Sequence, residues 1–165
     1  MRWCNADAVP SIHIRPFLDG EARAVAAWAY EPPFDMYDGD PKHFADYLAV
    51  DEQGYGYYAI VTDDGDVIGF CCFGAEARVT GQEAADGVVD IGGGVRPDRL
   101  SAGVATAAFP AIIDFARATF SPAQLRTAVA SFNERSMRLC RSAGFTVTRR
   151  FEGPGQEFCE LLRPA

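Results

Sequence analysis

Residues 90–113, DIGGGVRPDRLSAGVATAAFPAII, form the segment of this chain best suited to holding an anion. Asp90–Val95 is short, apolar and Gly-rich, as a strand would be, and Arg96–Ala102 is a polar turn holding Pro97, Asp98 and Ser101. From Gly103 the residues are small and apolar, with Phe109, Ile112 and Ile113 at helical spacing. Small residues at Ser101, Ala102, Gly103 and Ala105 let backbone N–H groups approach an anion. The helix opening there adds unpaired N–H groups and a positive dipole end. A pyrophosphate suits that chemistry, and close packing of a Gly-rich turn is the plain alternative. Neither G-x-x-x-x-G-K-[ST] nor the third glycine of a dinucleotide fingerprint is present.

A second segment, Asn133–Phe145 (NERSMRLCRSAGF), follows a strand-like run Leu125–Ser131. Ser136, Leu139 and Cys140 share one helical face, Gly144 is a helix stop, and Phe145 opens the next strand. Together the two segments resemble the GNAT N-acetyltransferase superfamily. Its second motif, N-x-x-[AS]-x-x-L-Y-x-x-x-G-F, is matched at Asn133, Ser136, Leu139, Gly144 and Phe145. Its first, a strand ending before proline and then Q/R-x-x-G-x-G/A opening a helix, is matched at Pro97, Gly103 and Ala105. The resemblance spans roughly residues 11–163, and its specific part lies in 90–145. Three positions depart from it: Leu100 stands where the family prefers Gln or Arg, Ser101 replaces a frequent glycine, and Cys140 stands where many members place a proton-donating tyrosine.

The resemblance implies one α/β (α+β) domain over residues 1–165, with a mixed, mostly antiparallel sheet and helices on both faces. It implies acetyl-CoA as cofactor and an amine of a small molecule or protein as acceptor. Ser101, Ala102, Gly103, Val104, Ala105 and Thr106 would supply N–H groups to the pyrophosphate. Gly93, Gly94 and Val95 would pair with the pantetheine arm, a backbone N–H there polarising the thioester carbonyl. Asn133 would bond that arm or cap its own helix; both roles suit asparagine. Asp90, on the strand leading to the cofactor, is the candidate base, since Ala128 stands where some members place a glutamate. Cys140 is a candidate acid or a small core residue, and Tyr37 is the alternative donor. Asp35, Tyr37 and Asp38 fall in a loop that would border the acceptor, where they would attract a cationic amine or stay solvated. A non-catalytic acyl-CoA-binding module and a nucleotide-binding α/β domain are the competing readings.

The elements that must position these residues follow from pattern. Ser11–Phe17, Tyr57–Thr62, Val67–Phe73, Val88–Val95, Leu125–Ser131, Phe145–Phe151 and Gln156–Leu162 read as strands. Asp19–Tyr30 with Asp19 as N-cap, Pro41–Ala49, Gly103–Phe120 and Asn133–Ala143 read as helices, and Glu31–Asp40 as a loop. Asp63-Asp64-Gly65-Asp66 is a hairpin signal. With 15 Lys+Arg against 23 Asp+Glu, the net charge of −8 argues against nucleic-acid or anionic-membrane binding. No apolar run approaches a membrane span, and no signal-peptide core is present. Five cysteines with no C-x-x-C pair, and two isolated histidines, point to no metal and to reduced thiols in a cytoplasm. A homodimer is allowed.

Overall fold

The computed structural model describes residues 11–100 and 102–165. Among them are seven strands: β1 Ile12–Arg15, β2 Gly56–Thr62, β3 Val67–Phe73, β4 Val88–Val95, β5 Gln124–Ala130, β6 Thr146–Gly153 and β7 Gln156–Pro164. Three α-helices join them: α1 Asp19–Ala26, α2 Val104–Phe120 and α3 Glu134–Ser142. The sheet order is β1-β2-β3-β4-β5-β7-β6, and every adjacent pair is antiparallel except β4 with β5. This is the mixed, mostly antiparallel α/β sheet expected, with helices on both faces.

Burial of alternate strand residues decides which helix covers which face. On one side Phe73, Val89, Ile91, Leu125, Val129 and Leu161 pack with Ile112 and Ile113 of α2 and Met137 and Cys140 of α3. On the other, Ala59 and Val61 pack with Phe17 and with Ala22 and Val25 of α1. Helix α1 stops at Ala26, earlier than its apolar stripe suggests, and Trp28 then turns in against Phe70, ring centroids 6.2 Å apart. Its N-cap is Leu18 rather than Asp19. Glu21 accepts the Leu18 N–H at 3.0 Å and a two-bond fork from Arg15, each bond 2.8 Å. The expected helix at Pro41–Ala49 is a 3₁₀ segment over Pro41–Leu48, broken at His43.

The three glycines of β4 have a packing cause. A Cβ at Gly94 would lie 2.6 Å from the Phe70 ring, which Trp28, Tyr47 and Tyr57 hold in place. A Cβ at Gly93 would lie 2.7 Å from the Phe70 carbonyl oxygen. Gly94→Ala should therefore destabilise the fold by about 1–3 kcal/mol through overpacking. Gly20→Ala, in α1 with no atom within 4 Å of the new methyl, should stabilise it by about 0.4–1 kcal/mol. Denaturant melts of the two variants check the opposite signs.

Candidate active site

Strands β4 and β5 run parallel and in register only from Val88↔Gln124 to Asp90↔Arg126. Both continue, β4 to Val95 and β5 to Ala130, without pairing again. The result is a V-shaped opening with its apex at Asp90 and Arg126. The register of β3 on β4, with the Arg96 N–H donating to the Ile68 carbonyl at 2.9 Å, sets which peptide groups face the opening. By the alternation of an antiparallel ladder, Gly93 and Val95 present their N–H and C=O to it, and Gly94 presents its own to β3. Of the three residues expected on a cofactor arm, Gly94 is thus a packing residue.

The mouth of the V leads to the N-terminus of α2. Gly103 is the N-cap, at φ 73°, a left-handed conformation that glycine adopts without strain. Among the described residues no side chain caps the helix, and the first backbone bond runs from Ala107 N to Gly103 O at 3.2 Å. The N–H groups of Gly103, Val104, Ala105 and Thr106 thus lack a backbone acceptor among the described residues. The Ala102 N–H does not join them, because it donates to the Arg99 carbonyl at 3.1 Å. Ser101 lies outside the described residues. Nothing stands within 4 Å of a Cβ built on Gly103, so the cradle is open. Arg135 of α3 donates to the Leu100 carbonyl at 3.1 Å and has no carboxylate within 4 Å among the described residues.

The segment between α1 and the Pro41–Leu48 turn bridges both arms of the V. The Tyr30 hydroxyl donates to the Val95 carbonyl at 2.8 Å, and burial pushes its pKa up to about 12. Tyr37, half exposed in a 3₁₀ turn Phe34–Tyr37, takes a 3.5 Å contact from Asn133 Nδ2 at the end of β5. Asn133 Oδ1 meanwhile caps α3 by accepting the Ser136 N–H at 3.2 Å. Phe34 packs on Phe132 with centroids 5.8 Å apart, and Gln156 of the β6–β7 hairpin touches the Met36 sulfur. Tyr37 and Asn133, two residues singled out by sequence, therefore meet over one arm. Asp38 turns away from the opening, accepting the Tyr30 N–H at 2.7 Å.

Two expected catalytic groups lie elsewhere in the chemistry. Asp90 is 2% exposed, and both carboxylate oxygens are engaged: Arg126 Nε at 2.6 Å and Nη2 at 3.1 Å, and Arg78 Nη1 at 3.0 Å. Accepting a proton there would forfeit charge-assisted bonds, so the geometry does not support the role of base. Cys140 is 4% exposed inside the α2–α3 core, and burial pushes its thiol up to about 12. It is a core residue, not an acid at the cleft. Tyr30, Arg126 and Arg78 were the residues that sequence reasoning missed. An arginine inside an otherwise apolar strand such as QLRTAVA is itself a signal of a buried partner. A cavity of about 570 Å³ opens at the other end of β4, lined by Tyr55, Phe73, Glu76, Val89 and Asp90, and holds none of the expected cofactor residues.

Burial of the Cys140 thiol makes a direct prediction. Iodoacetamide at mildly alkaline pH should leave it unmodified in the native protein and label it rapidly in denaturant, since the thiolate is the nucleophile. Peptide mass spectrometry reads both, and native labelling at the denatured rate would contradict the assignment.

The geometry can be set beside known proteins. A family model described as an acetyltransferase (GNAT) domain matches residues 9–146. A search of the curated proteins finds no match. Among solved structures, aminoglycoside acetyltransferase AAC(6')-Ib in complex with coenzyme A is 18% identical, with a TM-score of 0.72 over 93% of this chain and 95% of that one. YncA from Salmonella typhimurium with its cofactor acetyl-CoA is 21% identical, with a TM-score of 0.66 over 93% of each chain. Spermidine/spermine N-acetyltransferase SpeG from Vibrio cholerae, in mutant form, is 12% identical, with a TM-score of 0.64 over 93% of this chain and 95% of that one. The structural likenesses carry the fold, and the family model, covering most of the sequence, carries the membership: the chain belongs to the GNAT acetyltransferase family.

Proposed function

We propose that the protein transfers an acetyl group from acetyl-CoA to an amine of a small molecule or protein. The observation that carries this reading is the parting of β4 from β5 in front of a helix N-terminus that no side chain caps among the described residues. The open edge offers backbone donors and acceptors to an amide-bearing arm, and the helix end offers N–H groups and dipole to a pyrophosphate. Acetyl-CoA supplies the activated acyl group. Gly103–Thr106 hold its phosphates, and Gly93 and Val95 pair with its arm. Asn133 holds α3 in register with that arm through its cap.

Tyr37 is the proton donor in this reading. Its hydroxyl is half exposed and lies beside Asn133 at the mouth of the opening, where Asp90 and Cys140 are both shut away. In the transfer the amine nitrogen would bond to the acyl carbon as the carbon–sulfur bond breaks, Tyr37 would give its proton to the departing sulfur, and the proton released from the nitrogen would pass through solvent to restore the Tyr37 hydroxyl. Asp35, exposed in the same turn, gives the acceptor side a negative charge that suits a protonated amine. Among proteins of similar structure are a spermidine/spermine N-acetyltransferase and an aminoglycoside acetyltransferase, which supports a cationic acceptor. A cytoplasmic setting accords with four buried cysteines that form no disulfide among the described residues. No helix among those residues is long and apolar enough to cross a membrane.

The seclusion of Asp90 and Cys140 favours one second reading, a non-catalytic acyl-CoA-binding module. Release of free thiol from acetyl-CoA on mixing with a panel of amines separates the two; binding without release selects the module. Gly103→Glu should weaken acetyl-CoA binding at least about tenfold, ~1.4 kcal/mol, relative to Gly103→Ala. Both variants share the backbone strain of a positive φ, so the difference isolates the charge. Equal calorimetric affinities would move the phosphate site elsewhere. Tyr37→Phe should lower kcat about 10²-fold with acetyl-CoA affinity unchanged, and an unaltered kcat would remove Tyr37 from the reaction.

A further inference from the structure

Asp90 and Arg126 are opposite each other on the last rung that β4 and β5 share. Their side chains lie on the same face of the sheet and join in a two-bond fork, 2.6 Å and 3.1 Å, with both side chains under 10% exposed. The fork is itself braced from the segment between β3 and β4 and from β6 and β7. Arg78, after the 3₁₀ turn Gly74–Ala77, adds a third bond to Asp90 at 3.0 Å. The Glu83 carbonyl accepts from Arg126 Nη2 at 2.6 Å. Glu160 of β7 stands 3.8 Å from Arg126 and is bound by Gln82 at 3.0 Å, Thr148 at 3.0 Å and Arg149 at 3.2 Å. Below the rung the strands pair through Val88 and Val89. Above it Gly92, Gly93 and Gly94 have no side chain that could reach across.

We propose that Asp90 and Arg126 are a positioning pair that fixes where β4 and β5 part, and so sets the backbone groups of Gly93 and Val95 at the spacing the acyl donor's arm requires. The inference rests on the reading of that opening as the acetyl-CoA site. The pair acts through the strands: it touches neither the phosphate cradle at Gly103 nor Tyr37. A lone ladder of three rungs can fray, because each parallel rung contributes little by itself. A guanidinium fork has a fixed geometry that a point charge lacks. The carboxylate stays ionised and bonded throughout, and the proton of the acceptor goes elsewhere.

The full-length chain tests this with Asp90→Asn, Arg126→Lys and the double variant Asp90→Asn/Arg126→Gln. Acetyl-CoA affinity comes from calorimetry, and kcat and KM from turnover of whichever amine the wild type acetylates, across neutral and mildly alkaline pH. Each single variant should raise both Kd and KM for acetyl-CoA about tenfold or more. The pH dependence of kcat should keep its wild-type shape in all three. The double variant puts an amide pair in the place of the fork and leaves only Arg78 without its carboxylate, so it should bind better than Asp90→Asn, which deprives Arg126 of the fork as well. It also carries the test if a single variant fails to fold. Wild-type affinity in the folded variants would overturn the proposal, and so would loss of a pH limb in Asp90→Asn alone, which would make this carboxylate the base. A wild type that binds no acetyl-CoA would instead bring down the reading of the opening, and the positioning role with it.

Discussion

The backbone groups left unpaired where β4 and β5 separate govern the rest of the molecule. A buried or half-buried N–H or C=O without a partner is expensive, so a sheet does not open in its middle without compensation. Here the two central strands share three rungs and then part, although each remains paired on its outer side, β4 with β3 and β5 with β7. The inner edges of both are therefore held rigid and, apart from the Val95 carbonyl, which accepts the Tyr30 hydroxyl, and the Ala130 carbonyl, which accepts the Asn133 N–H, are left without backbone partners among the described residues. A guest with alternating amide groups meets that demand as an added strand would.

The elements around the opening follow from it. Helix α2 follows β4 after eight residues, and the N–H groups at its start, which lack a backbone acceptor among the described residues, lie at the mouth, at the end remote from the apex. The segment from Trp28 to Asp40 crosses above, anchored to β4 by Tyr30 and to the β5–α3 junction by Tyr37. Below, a cluster of two buried carboxylates with the buried Arg126, the half-buried Arg78 and the exposed Arg149 joins β4, β5, β6 and β7 on the face α1 occupies further along. Such a cluster is weak evidence of stability, since desolvation offsets much of its attraction. Its value lies in fixed geometry, and the geometry it fixes is the apex.

The elements themselves were legible because periodicity and turn residues act over a few neighbours. Val88–Val95 was read to the residue, and the helix from Gly103 and the strand from Leu125 lay within one residue of the observed starts. What pattern does not carry is pairing between distant residues. Asp90 and Arg126 are 36 positions apart, and nothing local to either says that they meet. Read alone, an aspartate at the head of a cofactor strand looks like a base; read with its register partner it is half of a clamp. Cys140 misled for a different reason. Its resemblance to a tyrosine position suggested chemistry, whereas the buried face of α3, set by Asn133, Met137 and Cys140 at i, i+4 and i+7, carries it into the core.

Charge resolves the remaining departure from the family pattern. Leu100 offers no donor to a phosphate, and the two arginines of the turn are already committed: Arg96 to Asp66 and Asp98 at 2.9 Å and 2.6 Å, Arg99 to Asp66 at 3.6 Å. Hydrogen bonds to those carboxylates hold the Arg96 guanidinium firmly protonated and in place, so it shapes the turn. A cation with no carboxylate within 4 Å among the described residues reaches this turn from a different element. Arg135, one residue into α3, bonds the carbonyl of the same Leu100 whose side chain lacks the donor. Position along the chain is thus exchanged for position in space. Asn133 fixes the start of α3, the start of α3 fixes Arg135, and Arg135 brings its charge to the turn that opens α2. In a chain whose net charge is −8, that local arrangement brings a positive charge together with the N–H groups at the start of α2 at this end of the sheet.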